Sequence, residues 1–284
     1  MNYRHEFHAG NFADVVKHVI LTRILLYLTQ KETAFRFLDT HAGSGIYDLY
    51  AVESAKTSEW KNGIGRLTGE APVRCRLSDS ALELIEPYLR IVGALGNPAL
   101  YPGSPAIAAR LLRPGDRMIF CELHPRARAN LNANLGRDRR AKIIEIDGFI
   151  GLKAFVPPVE RRGLVLIDPP FEARDEFSRM AQALATAWHK WPTGIYMLWY
   201  PIKDPRLAAE FAEELVRSNI KRLLRLEIRV DNPQPGGPLV SCGLIIVNPP
   251  FSLVDEIGSM IPSLLDRLSL GKGAGYDCSW LTGE

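Results

Sequence analysis

The stretch LLRLEIRV-DNPQPGGP-LVSCGLIIV, Leu223 to Val247, decides the fold. Two apolar, β-prone runs, Leu223–Val230 and Val240–Val247, flank Asp231–Pro238, a connection rich in proline and glycine. That connection is too short for the crossover helix that parallel neighbours need, so the two strands form an antiparallel hairpin. Upstream the pattern differs. Arg36–Asp39, Met118–Leu123, Lys142–Ile146, Leu164–Ile167 and Ile195–Tyr200 read as strands, several of them continuously apolar, as parallel strands buried on both faces are. Helical patterns alternate with them at Pro125–Leu135, Gly148–Phe155, Asp175–Lys190 and Pro205–Ser218, and Val254–Leu268 follows the last strand. The expectation is an α/β fold: a seven-stranded sheet of βαβ units whose last strand is antiparallel.

Composition fits such a fold. The chain has 284 residues, 46% hydrophobic and 24% charged, which supports a full core and excludes disordered and fibrous classes. No apolar run approaches the roughly 18–20 residues of a membrane span. The opening Met1–Gly10, with Arg4, His5, Glu6 and His8, does not read as a signal peptide. The four cysteines form no CxxC pair, which argues against a disulfide framework or zinc site and for a cytoplasmic setting. A net charge of +3 permits a nucleic-acid partner without demanding one.

Two pieces read as lying outside the sheet. Asn11–Gln30 is an opening helix with Asn11 as N-cap and an apolar stripe of Val16, Val19, Ile20, Ile24 and Tyr27. The connection between the first two strands is far longer than a usual crossover. Residues 48–97 are expected to form a helical insertion (around Glu53–Leu67 and Ser80–Leu95) that serves substrate recognition. The remainder, 1–47 and 98–284, makes the catalytic domain.

The first strand runs into Asp39-Thr40-His41-Ala42-Gly43-Ser44-Gly45, where glycines allow a tight turn and close approach of a ligand. Asp48 occupies the third glycine position of a dinucleotide fingerprint, so a nicotinamide site does not fit. The second strand ends in Glu122, suited to ribose hydroxyls. The third ends in Asp147-Gly148, where an acid can accept an adenine amino hydrogen. Carboxylates ending three consecutive strands point to an adenosine-bearing cofactor.

The fourth strand ends Asp168-Pro169-Pro170-Phe171. The prolines remove two N–H donors and fix the backbone. Asp168 and a neighbouring proline carbonyl then offer two acceptors for a nucleobase amine, and Phe171 offers a stacking face for a base removed from its stack. The motif resembles the [DNS]-P-P-[FYW] signature of amino-methyltransferases. Asn248-Pro249-Pro250-Phe251 has the same form, but its strand runs antiparallel and ends away from the ligand edge. At the amino terminus Tyr3, Arg4, His5 and His8, with Lys17 and His18 behind them, match no common metal-ligand spacing. They suit phosphate contact and base stacking better.

Tyr3-Arg4-His5-x-Phe7-His8-Ala9-Gly10-Asn11-x-Ala13-Asp14-Val15-x-Lys17-His18, Leu38–Gly43, Tyr101–Pro105 and Arg161–Pro170 together resemble the RlmJ family, across the whole chain. The resemblance implies the Rossmann-like fold of S-adenosylmethionine-dependent methyltransferases and methylation of the N6 amine of one adenine in 23S ribosomal RNA. It implies cofactor contacts at Lys17, His18, His41, Ser104, Glu122, Asp147, Gly148 and Asp168, Asp168 being the catalytic acceptor, and a target-base contact at Tyr3. The motif usually written DPPY is DPPF here, which keeps the stacking face and loses the hydroxyl. The implied partner is 23S rRNA, protein-free or partly assembled, with no metal, membrane or obligate protein partner. Arg126, Arg128, Arg137, Arg139, Arg140, Lys142, Arg161 and Arg162 are candidates for RNA backbone contact. DNA adenine methylation is the near alternative, because the target base is the same. A DNA-handling role in the use of external DNA as nutrient is the alternative from another class.

Overall fold

The computed structural model describes residues 5–70, 75–234 and 236–283; Tyr3 and Arg4 lie outside the described residues. In chain order the elements are α1 (Phe12–Thr29), β1 (Arg36–Asp39), β2 (Ile46–Asp48), α2 (Val52–Thr57), α3 (Gly65–Thr68), α4 (Asp79–Gly93), β3 (Leu100–Pro102), α5 (Ser104–Leu111), β4 (Arg117–Cys121) and α6 (Pro125–Leu135). There follow β5 (Ala141–Ile144), α7 (Gly148–Phe155), β6 (Gly163–Ile167), α8 (Glu176–Lys190), β7 (Ile195–Pro201), α9 (Pro205–Arg217), β8 (Leu223–Arg229), β9 (Ser241–Val247), α10 (Leu253–Leu268) and β10 (Gly275–Thr282).

The hairpin forms as its short connection requires, with Leu223 opposite Val247 and Arg229 opposite Ser241. The sheet order is β10-β8-β9-β7-β6-β1-β4-β5. The five strands from β5 to β7 are mutually parallel, and β9 lies antiparallel between β7 and β8. The sheet has eight strands among the described residues, one more than expected. The addition, β10, pairs antiparallel with β8 at the sheet's edge. Its half-exposed residues lack the continuous apolar run that marks the central strands.

Helices cover both faces. Along β6, Leu164 and Leu166 pack into one core with α1, α4 and α10, while Val165 and Ile167 pack into the other with α7, α8 and α9. Two-sided burial is why β6 reads as unbroken apolar sequence. The Asn11 side chain caps α1 by accepting from the Asp14 backbone N–H at 2.9 Å. The helix has more than one apolar stripe: its buried residues run round most of its circumference and include Asp14, Lys17 and His18. The sheet covers one side, and α4, α5 and α10 cover the rest. Four polar side chains, Thr22 with those three, are therefore buried where an amphipathic reading would expose them.

A two-stranded ribbon, β2 against β3, closes the base of residues 48–97. Within that segment α4 buries Ile85, Tyr88 and Ile91 in the same core as α1. The first half grips the stretch before α1. Ser54 Oγ donates to the Glu6 carbonyl at 2.7 Å, and Ile64 N donates to the Gly10 carbonyl at 2.8 Å. The Glu59 carboxylate lies 3.0 Å from His8 Nδ1 and accepts from Asn11 Nδ2 at 3.0 Å. No helix among the described residues is long and apolar enough to cross a membrane.

Candidate active site

Parallel strands deliver their following residues to one edge, and there a cleft of about 910 Å³ opens. Lys17, His18, His41, Ser104, Glu122, Asp147, Gly148 and Asp168 all line it.

Asp168 follows β6. Lys17 reaches it from α1, donating to Asp168 Oδ2 at 2.5 Å and pairing with Asp14 Oδ1 at 2.8 Å. Asp14 also lies 2.9 Å from His5 Nε2 and accepts from the Gly10 N–H at 3.0 Å. Burial opposes the charge on Lys17, but the Asp14 and Asp168 carboxylates outweigh it and hold the ammonium above its ordinary pKa. Burial likewise opposes ionisation of Asp14, and His5 and Lys17 overcome it, leaving the carboxyl well below its usual range. Every charge in this chain of contacts has a partner, the condition for tolerating burial. Lys17 Nζ also sits 5.9 Å from the centre of the Trp199 ring.

Asp39 is 0% exposed and lies beneath the cleft wall. Ser104 Oγ donates to its Oδ2 at 2.6 Å and the His41 backbone N–H to its Oδ1 at 3.2 Å. Burial raises this carboxyl to about 7 against those hydrogen bonds. Glu122 accepts from the Gly43 N–H and the His124 N–H, each at 2.7 Å, so it pins the glycine loop to the end of β4. Two donors use about half of a carboxylate's acceptor sites, leaving capacity for ribose hydroxyls. Gly43 adopts φ +64°, and a Cβ there would fall 2.1 Å from the Tyr47 hydroxyl.

Asp147 caps α7, its Oδ1 accepting from Phe149 N at 3.0 Å and Ile150 N at 3.1 Å. Gly148 is obligatory for space: a Cβ would lie 2.3 Å from the Thr40 carbonyl and 2.6 Å from the His41 ring. Burial lowers His41 to about 4 and His18 to about 3, so both rings are neutral at pH 7. His18 Nδ1 lies 2.7 Å from the Tyr101 hydroxyl, itself 3.1 Å from that of Tyr88 on α4.

Phe171 is not brought into the cleft lining. Its ring packs 5.0 Å from Phe177 and 5.9 Å from Trp199, behind the proline turn. The basic candidates divide. Arg128 pairs with Glu145 and Arg140 with Asp138, while Arg162 donates to the Leu28 and Thr33 carbonyls. Arg126, Arg137, Arg139, Lys142 and Arg161 are exposed. Asn248 opens at the opposite edge, as strand direction requires, and its amide donates to the Pro192 and Gly194 carbonyls at 2.7 and 2.8 Å. Sequence reasoning gave no role to Asp14, Tyr88, Tyr101 or Trp199. The available signal was the setting of Asp14, Lys17 and His18 among Val15, Val16, Val19 and Ile20, where no solvated face remains.

The profile of a family described as RsmJ, ribosomal RNA large subunit methyltransferase D, RlmJ, matches residues 32–282. The Escherichia coli K12 protein named ribosomal RNA large subunit methyltransferase J is 36% identical, with all of both chains covered. Its Haemophilus influenzae namesake is 37% identical, again over the full length of both. A crystal structure of a Legionella pneumophila protein superposes with a TM-score of 0.84 at 33% identity, covering 96% of this chain and 98% of that one. A profile across most of the sequence, relatives matched end to end and a shared architecture agree: the chain belongs to the RlmJ family of ribosomal RNA large subunit methyltransferases.

Proposed function

We propose that the chain methylates the N6 amine of one adenine in 23S ribosomal RNA, with S-adenosylmethionine as methyl donor. The observation that carries this reading is the Asp168 carboxylate, held by Lys17 in the lining of the same cleft as Glu122 and Asp147. The donor set fits the cofactor. Glu122 retains acceptor capacity for ribose hydroxyls, Asp147 can take the adenine amino hydrogen, and Gly148 and neutral His41 give a wall without competing charge. Lys17, His18 and Ser104 would hold the amino-acid end.

When bound, the cofactor supplies an electrophilic methyl group on a sulfonium. The protein presents the acceptor. Lys17 holds one Asp168 oxygen, so the other is aimed to accept an N6–H hydrogen bond, and a proline carbonyl of the turn takes the second hydrogen. Both hydrogens being held, the nitrogen lone pair leaves conjugation and turns toward the methyl. Asp168 would then stabilise the positive charge that develops on nitrogen, the methyl's former partner leaving as a neutral thioether and the surplus N6 proton passing to solvent, and positioning in the cleft supplies much of the remaining acceleration. Tyr3 and Phe171 are assigned to the target base, Phe171 after turning from the Phe177 and Trp199 rings. Arg126, Arg137, Arg139 and Lys142 are assigned to the RNA backbone. Residues 48–97 are read as a recognition unit, which steers the amino-terminal segment through Ser54, Glu59 and Ile64. The substrate sets a cytoplasmic location, and protein-free or partly assembled rRNA is the preferred form.

The test offers radiolabelled S-adenosylmethionine with protein-free 23S rRNA, assembled large subunits or genomic DNA, all from cells lacking the gene. Label in N6-methyladenosine of rRNA, absent with Asp168→Ala, is the expected result. Label in DNA alone keeps the chemistry and overturns the substrate. A phenotype indifferent to Asp168→Ala would favour the DNA-handling role.

A further inference from the structure

Behind the cleft a file of three buried side chains runs from its lining into the helical segment: His18 on α1, Tyr101 on β3 and Tyr88 on α4. His18 Nδ1 lies 2.7 Å from the Tyr101 hydroxyl, which lies 3.1 Å from the Tyr88 hydroxyl. Tyr101 is held at the middle of the file. It sits opposite Tyr47 in the two-stranded ribbon, and its strand leads through Pro102 and Gly103 to Ser104 at the start of α5. Tyr88 closes the far end. Its hydroxyl has that of Tyr101 as its one hydrogen-bond partner among the described residues, and its side chain is 0% exposed.

That closed end fixes the direction of every hydrogen in the file. Burial keeps the His18 ring neutral, so one of its two nitrogens carries a proton. Were it Nδ1, the ring would donate to the Tyr101 oxygen. One of the two tyrosine hydrogens would then be left without an acceptor, and buried donors are not left unmade. With the proton on Nε2 every hydrogen is placed: Tyr88 donates to Tyr101, and Tyr101 donates to Nδ1. The ring lines the cleft, and its Nε2 has no protein acceptor among the described residues. A partner that fixes one imidazole nitrogen thereby sets the role of the other.

The neighbours of His18 leave work for such a donor. Ser104 Oγ has given its hydrogen to Asp39, so it can only accept from a ligand, and Lys17 is engaged by Asp14 and Asp168. The amino-acid end of the cofactor brings both a carboxylate and an ammonium. We propose that Tyr101, with Tyr88 behind it, is a positioning residue for the cofactor: it holds His18 with the proton on Nε2 and aims that N–H at the carboxylate of the amino-acid end, while Ser104 accepts from the ammonium. The proposal rests on the reading that the cleft takes S-adenosylmethionine. It gives the inner face of α4 a part in cofactor binding, separate from the recognition assigned to residues 48–97.

Tyr101→Phe and Tyr88→Phe test it, since each keeps its ring in the core and removes one hydroxyl. Nitrogen NMR of the histidine rings reads the His18 tautomer in the full chain without cofactor, the signal being identified by its loss in His18→Gln. Calorimetry compares S-adenosylhomocysteine, which has the amino-acid end, with methylthioadenosine, which lacks it. The unmodified protein should show His18 protonated at Nε2, with Nδ1 accepting a hydrogen bond. In Tyr101→Phe the Nδ1 signal should move to that of an unbonded imidazole nitrogen. Affinity for S-adenosylhomocysteine should fall about tenfold there, with that for methylthioadenosine unchanged. Tyr88→Phe should weaken S-adenosylhomocysteine by about threefold, because a hydroxyl that accepts no hydrogen bond is the poorer donor. No loss in Tyr101→Phe overturns the proposal, as does a loss shared equally by the two ligands, the mark of a damaged pocket. Binding of neither ligand to the unmodified protein would sink the cofactor reading and this proposal with it. Ordinary binding by a ring protonated at Nδ1 would sink the proposal and leave that reading standing.

Discussion

The chain carries the turn X-Pro-Pro-Phe twice, at Asp168–Phe171 and Asn248–Phe251, and the two copies sit at opposite edges of one sheet. Each follows a buried strand, and each contains a non-glycine residue at φ near +50°, Phe171 in one and Asn248 in the other. Their surroundings share little else. Asp168 is held directly by Lys17 in the lining of a cleft that also carries carboxylates and neutral histidines; the Asn248 amide is spent on two backbone carbonyls. Phe171 packs into an aromatic cluster, whereas Phe251 stands in water. The cause is strand direction. β6 runs with the parallel set and ends at the ligand edge, while β9 is reversed and ends among the strand beginnings. Four letters acquire their chemistry from the direction of the strand that precedes them.

The largest effect that would sharpen this contrast is expected at Lys17. Lys17→Met leaves Asp14 buried with one cationic partner fewer and frees Asp168 from its anchor. Breaking a buried charge set in this way costs about 3–5 kcal/mol. Urea unfolding should show that loss, and the double variant Asp14→Asn, Lys17→Met should recover part of it. A loss below about 1 kcal/mol, the range of exposed pairs, would mean that the charges at this edge are as weakly coupled as surface ones.

Legibility followed the same contrast. The carboxylates ending β1, β4 and β6 were readable because glycine and proline punctuate central strands, and the hairpin because its connection admits no helix. The eighth strand was not, since Tyr276, Cys278 and Trp280 lie on a half-exposed edge without an apolar run. The contact between Lys17 and Asp168 spans 151 positions, and no local pattern announces it. His18, His41 and Ser104 entered through family resemblance alone; all three line the cleft. The chain from His18 through Tyr101 to Tyr88 could not be read at all. It joins three elements whose packing is decided by the core, and a tyrosine's hydroxyl gives no periodic signal.

A smaller effect separates the edges by pH. Asp39 titrates at about 7 in the folded chain, raised by burial from an ordinary 3.8. Between those values the folded state holds a proton that the unfolded state has lost, so stability falls as pH rises through that window. Asp39→Asn removes this slope. Relative to the unmodified protein the variant should gain at pH 8 by roughly 5–10 °C in Tm more than at pH 5, the equivalent of about 2.5 kcal/mol. An equal difference at both pH values would place the Asp39 pKa near its ordinary value and deny the cleft edge its buried acid.

The smallest effect lies at the other turn. Asn248→Ala removes two hydrogen bonds to backbone carbonyls and forces a Cβ without a compensating amide into the left-handed region. The bond to Pro192 is solvent-exposed and sits at the low end of roughly 0.5–1.5 kcal/mol per bond, so the loss should be about 1–2 kcal/mol, the same at pH 5 and pH 8, because no titratable group takes part. Asn248→Gly loses the same bonds but not the backbone preference, so it should be the milder of the two by about 0.5–1 kcal/mol. Chemical unfolding of the pair at both pH values isolates what the left-handed turn costs. If glycine proved no milder than alanine, the conformation at Asn248 would be unstrained. The display of Phe251 would then need no backbone enforcement, and the contrast between the two edges would reduce to the charges alone.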